Sequence, residues 1–185
     1  MFILASGSPR RRELLAQIGV SYKVVVSEAE EIKAAASPAA LVTVNATAKA
    51  QAVAQQYPQD VVLGADTVVA LAGKIFGKPS DPAAAGRMLQ QLQGRSHTVI
   101  TGLALVRQQQ VYTKVVSTSV TFAPMTAQQI AAYVATGEPL DKAGAYAIQG
   151  RAAAYIERIE GSYSNVVGLP LHALCELARQ ASVSL

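Results

Sequence analysis

Three observations predict an α/β fold with a mixed sheet. Apolar runs typical of buried strands alternate along the chain with helical segments that carry one apolar stripe. The runs 99–106 and 111–122 are separated only by a short polar turn, which is typical of an antiparallel pair. The 185 residues suffice for a hydrophobic core, so we expect one domain over residues 1–185, with two lobes about a cleft as an alternative.

The predicted helices share a capping residue before the first turn, in three cases followed by proline, which suits the first helical position. In the fourth, Thr126 and Gln129 have the spacing of a capping box. A closing helix follows Pro170 and reaches about residue 182. The four capped helices begin at Ser8-Pro9, Ser37-Pro38, Asp81-Pro82 and Thr126, and end before Gly19, near Tyr57, before Gly94 and before Gly137.

The predicted strands are 2–5, 20–26, 61–71, a short return after Ala72-Gly73-Lys74, 99–106, 111–122 and 152–159. The run 61–71 is apolar except for one charge, which favours burial on both faces. From residue 116 to 122 larger side chains alternate with Ser and Thr, so we expect one wet face there. The Gly- and Ala-rich stretch 141–150 matches neither helix nor strand.

Composition excludes several classes of protein. A formal net charge of +4 is too small for the basic stripe of a nonspecific nucleic-acid binder and favours small anions. The single cysteine, Cys175, excludes an intrachain disulfide and a thiolate metal cluster. No apolar run approaches the roughly 18–20 residues that span a bilayer. Because the first residues also lack a signal-peptide core, we expect a cytoplasmic protein without membrane partners.

The segment Ser6-Gly7-Ser8-Pro9-Arg10-Arg11-Arg12 lies where a predicted strand gives way to a helix. Backbone N–H groups and the positive end of the helix dipole converge at such a junction, and arginine forks match phosphate oxygens. We interpret the segment as a phosphate site, with Arg12 on the solvated side of the helix. The alternative is an ordinary solvated basic turn with a serine cap.

Asp66 is the one charge within the apolar strand 61–71. A buried carboxylate is costly to desolvate, so it either accepts structural hydrogen bonds or belongs to a site with a metal or water. Glu30 and Glu31 offer further oxygen ligands for a hard cation such as Mg²⁺, unless they form a solvated acidic loop.

Two lysines carry weaker signals. Lys78 ends a stretch that resembles a Walker A loop, but Gly73 and Gly77 are one residue too close and Pro79 replaces the magnesium-binding hydroxyl. Lys78 can still offer a charge to a phosphate, or lie in a surface turn. Lys49 stands alone on an alanine-rich helix, where a solvated charge is the usual role.

Six segments, in order, resemble the Maf family. The resemblance extends from residue 3 to about 178, and six ordered blocks are far more specific than any one of them. The segments are 4–11 (Leu-Ala-Ser-Gly-Ser-Pro-Arg-Arg), 64–68 (Gly-Ala-Asp-Thr-Val), 77–79 (Gly-Lys-Pro), 97–99 (His-Thr-Val), 141–150 and 161–170.

The resemblance implies a Maf/ITPase-like fold, an elongated and curved mixed sheet flanked by helices, with the active site in a cleft between two lobes. It implies a nucleoside triphosphate pyrophosphatase, which cleaves between the α and β phosphates and releases the monophosphate and pyrophosphate. A divalent cation (Mg²⁺ or Mn²⁺), a homodimer and a cytoplasmic location are implied as well.

The family's site residues fall on residues of this chain. Its proton-accepting aspartate falls on Asp66 and its acidic residue after the second strand on Glu31, and these two are the implied metal ligands. Its phosphate-contacting and charged residues fall on Ser6, Ser8, Arg10, Arg11, Lys49 and Lys78.

The positions associated with base choice fall on Arg10, Thr67 and Gln149, in a pattern that resembles the branch acting on dTTP and UTP. The branch that prefers 7-methyl-GTP usually differs around the last two. One departure is Val44-Asn45, where the family usually has a basic residue and then Leu, and we interpret it as a packing change. A purine-type pyrophosphatase acting on ITP or XTP, and a noncatalytic nucleotide-sensing module, remain alternatives.

Overall fold

The computed structural model describes residues 1 to 185 and has the predicted mixed α/β architecture. Seven strands form one sheet in the order β2-β1-β3-β5-β6-β7, with β4 paired to β3. None of its helices is both long and apolar enough to cross a membrane. The strands are β1 Phe2–Leu4, β2 Lys23–Val24, β3 Val61–Leu71, β4 Lys74–Phe76, β5 Ser96–Arg107, β6 Gln110–Phe122 and β7 Ile156–Glu160. The helices are α1 Pro9–Gln17, α2 Pro38–Ala54, α3 Pro82–Leu92, α4 Ala127–Ala135, α5 Tyr163–Val167 and α6 Leu171–Gln180.

The elements with the strongest local patterns agree with prediction. β3 has the predicted bounds, and α1, α2 and α3 begin at their prolines. Each of these helices is capped by the expected Ser or Asp side chain, and Thr126 and Gln129 form the expected capping box at α4. The side chains of Thr118, Val120 and Phe122 are buried while their neighbours on β6 are more exposed, which confirms the wet face.

Two predicted strands are wrong in extent. The second strand was expected over 20–26, but β2 is two residues long because Val20 donates its N–H to Leu15 O and so belongs to the end of α1. The strand expected over 152–159 begins only at Ile156, since the alanine-rich stretch Arg151–Tyr155 forms a 3₁₀ helix. Alanine is a poor strand former, which explains the difference.

The chain divides into two compact units, each made of separate stretches. The first unit comprises Met1–Thr67, Thr101–Val116 and Gly168–Leu185, and the second comprises Val68–Ile100 and Ser117–Val167. Strands β3, β5 and β6 contribute residues to both. The expectation of one domain over residues 1–185 stays a prediction.

In the first unit, helix α2 lies directly on the sheet. A Cβ atom added at Gly64 of β3 would be 2.2 Å from Ala46 O, and one at Gly102 of β5 would be 2.6 Å from Val42 O. Only glycine fits at these two crossings, because any side chain would force the helix backbone away from the strands. Small alanines on α2 complete the contact, and Ala46 and Ala50 are fully buried. The helix is thereby held at backbone distance from β3, the strand that carries Asp66.

The second unit has its own aromatic core around His97. The His97 ring packs edge to face on Phe122 and Tyr146, and its Nε2 lies 2.8 Å from the Tyr146 hydroxyl. Burial lowers the pKa of His97 to about 4, so the ring is neutral at pH 7. The hydrogen bond of His97 is therefore structural, within the aromatic core.

We predict that Gly64→Ala destabilises the protein by about 3 kcal/mol, because the new methyl group overlaps backbone atoms of α2 that cannot move independently. Urea unfolding followed by circular dichroism measures the change. Gly86→Ala on α3 is the matched control, since a Cβ at that position meets no atom within 4 Å. The control should be neutral or slightly stabilising, and equal effects of the two substitutions would contradict the close packing of α2.

Candidate active site

Ser6 and Ser8 lie between the end of strand β1 and the amino terminus of helix α1. Ser8 is the N-cap residue and accepts a hydrogen bond from Arg11 N, while Pro9 occupies the first helical turn. The Ser6 hydroxyl oxygen accepts from Ser8 N at 3.3 Å and from Arg11 Nη1 at 3.1 Å. With both lone pairs used, its hydrogen is left to donate to an anion. The predicted strand-to-helix junction is therefore present, and its role as a phosphate site stays a prediction.

Arg11 links three segments of the first unit. Its Nε donates to Gly168 O at 2.9 Å, its Nη1 to Ser6 Oγ, and its Nη2 to Thr67 Oγ1 at 3.1 Å. Burial lowers the pKa of Arg11 to about 10, against the opposing effect of Asp66, and the guanidinium stays charged at neutral pH. Arg11 thus supplies a fixed positive charge and also holds the residue that follows Asp66.

The carboxylate of Asp66 is buried in β3 and both its oxygens have donors. Lys49 Nζ donates to Oδ1 at 2.8 Å and Asn45 Nδ2 donates to Oδ2 at 3.1 Å. The exposed fractions of the Asp66 and Lys49 side chains are only 12% and 13%, so the ion pair is mostly withdrawn from water. Asp66 therefore has structural hydrogen-bond partners, and it also lies among the residues predicted for the site.

Glu31 reaches the same lysine from the loop between β2 and α2. Its Oε1 lies 2.7 Å from Lys49 Nζ, and its side chain is 57% exposed. One ammonium group therefore joins a buried carboxylate to a solvent-facing one. The alternative of a solvated helix charge does not hold for Lys49, because α2 is held against β3 and turns this lysine toward Asp66.

Asn45 is a site residue that sequence reasoning missed. It is 3% exposed, and besides its bond to Asp66 it accepts from Ile32 N at 2.9 Å and donates to Ile32 O at 3.1 Å. The Asn45 amide thus connects the loop next to Glu31 to strand β3. The signal was available, since Asn45 and Lys49 are four residues apart on one helix and share a face.

Thr101 was also missed. It is fully buried on β5, and its Oγ1 lies 2.9 Å from Thr67 Oγ1. The sequence around Thr101 could not indicate Thr67 as its partner, because their contact depends on the pairing of strands β3 and β5. Together with Arg11, it fixes the position of the Thr67 hydroxyl.

Three other predicted residues take the following places. Arg10 lies on the first turn of α1, half-buried. Lys78 and Gln149 belong to the second unit, where both are exposed, Lys78 after β4 and Gln149 in a turn that precedes the 3₁₀ helix Arg151–Tyr155. Within the first unit, contacts join Ser6, Ser8, Arg11 and Thr67 in one set and Glu31, Lys49 and Asp66 in another, and Asp66 and Thr67 are neighbours on β3.

The donor set fits a hard divalent cation completed by substrate. Glu31 and Asp66 converge on one ammonium, which shows that the two carboxylates can share a cation. No group of three or more His, Cys, Asp or Glu side chains could hold a metal alone. Mg²⁺ is commonly held by one or two carboxylates together with substrate phosphates, so two protein ligands suffice.

Comparisons with known proteins find similar proteins over nearly the whole chain. A family model described as Maf-like protein matches residues 1–181. The dTTP/UTP pyrophosphatase of Symbiobacterium thermophilum is 54% identical over 179 residues, covering 96% of this chain and 92% of the relative. That of Gloeobacter violaceus is 55% identical over 176 residues, covering 95% and 93%. The Ham1 protein of Staphylococcus aureus shares the fold, with a TM-score of 0.52 at 15% identity over 97% of this chain and 98% of that one.

We predict that Lys49→Met costs about 3 kcal/mol of unfolding free energy, because it leaves the buried Asp66 carboxylate without its counter-charge. The double variant with Asp66→Asn should regain part of that loss, giving a coupling energy above about 1 kcal/mol in a urea-unfolding cycle.

Lys114→Met is the matched control, since the Lys114–Glu176 pair in the same unit is about one-third exposed. Its loss should stay below about 1 kcal/mol. If Lys49→Met costs no more than the control, the buried pair does not contribute as the geometry indicates.

Proposed function

The chain belongs to the Maf family, and on that premise we propose that it hydrolyses dTTP and UTP to the monophosphate and pyrophosphate. The observation that supports this most directly is the buried Asp66 carboxylate, held by Lys49 and Asn45 beside an arginine-rich helix terminus. The names of relatives that are about half identical over nearly their full length support the choice of substrate.

The triphosphate is bound by the amino terminus of α1. Ser6, Ser8 and Arg10 offer donors and charge there, and the helix dipole adds to them. Arg11 contributes its charge from a fixed position, because three of its donors are already used within the protein. We assign Lys78 to the phosphates as well.

Asp66 accepts the proton from the attacking water. The water oxygen forms a bond to the α phosphorus, the bond from that phosphorus to the α–β bridging oxygen breaks, and pyrophosphate leaves. Asn45 donates to Oδ2 and holds the carboxylate in one orientation, so that it needs little rearrangement before it takes the proton.

Glu31 and Asp66 would hold the divalent cation, Mg²⁺ or Mn²⁺. Bound there, a cation would offset the negative charge that develops on the leaving pyrophosphate. Lys49, which joins both carboxylates, would then be available to a phosphate oxygen.

Base choice is assigned to Thr67, Gln149 and Arg10, whose neighbour Arg11 contacts Thr67. The Thr67 oxygen accepts from Arg11, and when Thr101 also donates to it, the Thr67 hydrogen is left for a base carbonyl. The amide of Gln149 can both donate and accept, as the edge of a uracil or thymine requires. A base that leaves these groups unpaired is bound more weakly.

The remaining parts of the proposal come from the family resemblance. We propose that the protein is a homodimer and acts in the cytoplasm, where nucleoside triphosphates are its small-molecule substrates.

We predict that Asp66→Asn lowers kcat for dTTP by about 1,000-fold or more while the protein stays folded, because the amide cannot accept the proton. Pyrophosphate and monophosphate are measured together for dTTP, UTP, ITP, XTP and 7-methyl-GTP. In ¹⁸O-labelled water the label should enter the monophosphate, which reports attack at the α phosphorus.

Asp60→Asn is the control, since Asp60 precedes the same strand but pairs with the chain's amino terminus. It should leave kcat unchanged. Near-normal pyrophosphate release by Asp66→Asn would show that another group is the base. Faster release from ITP or XTP than from dTTP would overturn the pyrimidine assignment, and binding of dTTP without release would favour a sensing module.

A further inference from the structure

Gln149 lies at an exposed position in a tight turn of the second unit. Gly150 N donates to Ala147 O at 3.0 Å, which closes residues 147–150 into the turn, and Ala147 itself is 8% exposed. The chain therefore leaves the buried core at Ala147, exposes Gln149 to solvent and reverses direction by Gly150. We refer to residues 147–150 as the Gln149 turn.

Tyr133 of α4 holds the first end of this turn. Its side chain is 3% exposed, and its hydroxyl oxygen accepts a hydrogen bond from Ala147 N at 3.2 Å. The same hydroxyl donates to Glu138 Oε1 at 2.7 Å. The buried hydroxyl of Tyr133 therefore fixes the backbone where the Gln149 turn begins, and it is itself fixed by its hydrogen bond to the Glu138 carboxylate.

Glu138 holds the other end. Its second oxygen, Oε2, accepts from Arg151 N at 3.0 Å, directly after the Gln149 turn. Although partial burial tends to raise the pKa of Glu138, hydrogen bonds from Arg151 N and from Tyr133 leave it below its ordinary value, so the carboxylate is charged at neutral pH. A charged acceptor makes both bonds stronger than neutral ones.

The space around the Gln149 turn is equally restricted. A Cβ atom added at Gly150 would lie 2.4 Å from the Glu138 carboxyl group, so the carboxylate packs directly on the turn backbone. Upstream, Gly144 N donates to Gly77 O at 3.1 Å, and Gly144 has a φ of 69°. An exposed polar loop does not need such hydrogen bonds and close packing in order to fold. A side-chain amide that forms directional hydrogen bonds with the edge of a base does need a fixed backbone.

We propose that Tyr133 and Glu138 are positioning residues for base discrimination, acting by holding both ends of the turn that presents Gln149. The inference rests on the proposed function, and in particular on recognition of the base by Gln149. All contacts of the pair named above lie within the second unit, whereas Asp66, Lys49 and Arg11 belong to the first. The pair should therefore affect which base is accepted much more than the rate of the chemical step.

The test compares UTP with CTP, which differ only at the hydrogen-bonding edge of the base. Tyr133→Phe removes the acceptor for Ala147 N, and Glu138→Gln replaces one acceptor oxygen by an NH₂ group that cannot accept. Each variant should lower the UTP/CTP ratio of kcat/KM about tenfold, the consequence of one misplaced hydrogen bond. The loss should be in KM for UTP, with kcat within about threefold of the wild-type value.

Tyr155→Phe is the matched control, since its ring lies 6.4 Å from that of Tyr133 but its hydroxyl makes no hydrogen bond to the Gln149 turn. It should leave the ratio unchanged. Gln149→Ala supplies the reference loss, and adding Tyr133→Phe to it should lower the ratio no further, because both act through one side chain. Thermal unfolding confirms that each variant is folded. If Tyr133→Phe is unfolded, the comparison is made with Glu138→Gln alone.

The outcomes separate this inference from the proposed function. If Gln149→Ala lowers the ratio but Tyr133→Phe and Glu138→Gln do not, the positioning role is overturned and the function stands. An additive loss in the double variant would likewise overturn it. If Gln149→Ala itself keeps the UTP/CTP ratio, recognition by Gln149 fails and the inference with it. A wild-type chain that releases no pyrophosphate would refute the proposed function itself.

Discussion

The crossing of helix α2 over strands β3 and β5 is the constraint on which the site depends. Because Gly64 and Gly102 carry no side chain, the helix backbone lies directly on the sheet. At that distance the side chains of Asn45 and Lys49 reach Asp66 from the neighbouring turns of the helix. A helix lifted by one methyl group would leave a buried carboxylate without donors, which is among the costlier defects in a protein interior.

The site balances its charges so that an anionic substrate is accepted beside a carboxylate. Asp66 is satisfied by an ammonium and an amide, and Arg11 lowers the local negative potential from the other side while bonding the adjacent Thr67. The amino terminus of α1 adds a partial positive charge. Negative phosphates can therefore be bound close to a carboxylate without strong repulsion between them.

Each of the two units fixes polar groups by buried hydrogen bonds. In the first, such bonds hold the side chains of Asp66 and Thr67. In the second, the phenol and carboxylate of Tyr133 and Glu138 fix a backbone turn. Groups fixed in this way suit directional hydrogen bonds, because such bonds lose their selectivity when either partner can move.

Sequence reasoning succeeded where a pattern is local. The cap and proline of α1, the apolar run of β3 and the capping box of α4 involve residues close in the chain, so they were predictable with their bounds. It failed where the outcome depends on distant partners. Asn45 was interpreted as packing, and Lys49 was placed in the site only by the family resemblance, because the pattern of α2 alone does not show that Gly64 and Gly102 bring the helix onto the sheet. The length of β2 was overestimated because Val20, the first residue of the predicted strand, forms a hydrogen bond with Leu15 at the end of α1.

The most direct measurement is a crystal structure with Mg²⁺ and a dTTP analogue whose α–β bridging oxygen is replaced by a methylene group. The account predicts that the phosphates lie at the amino terminus of α1 and that the α phosphorus is one water molecule away from the Asp66 carboxylate. A triphosphate bound away from the amino terminus of α1, with its α phosphorus out of reach of a water molecule on Asp66, would contradict that prediction.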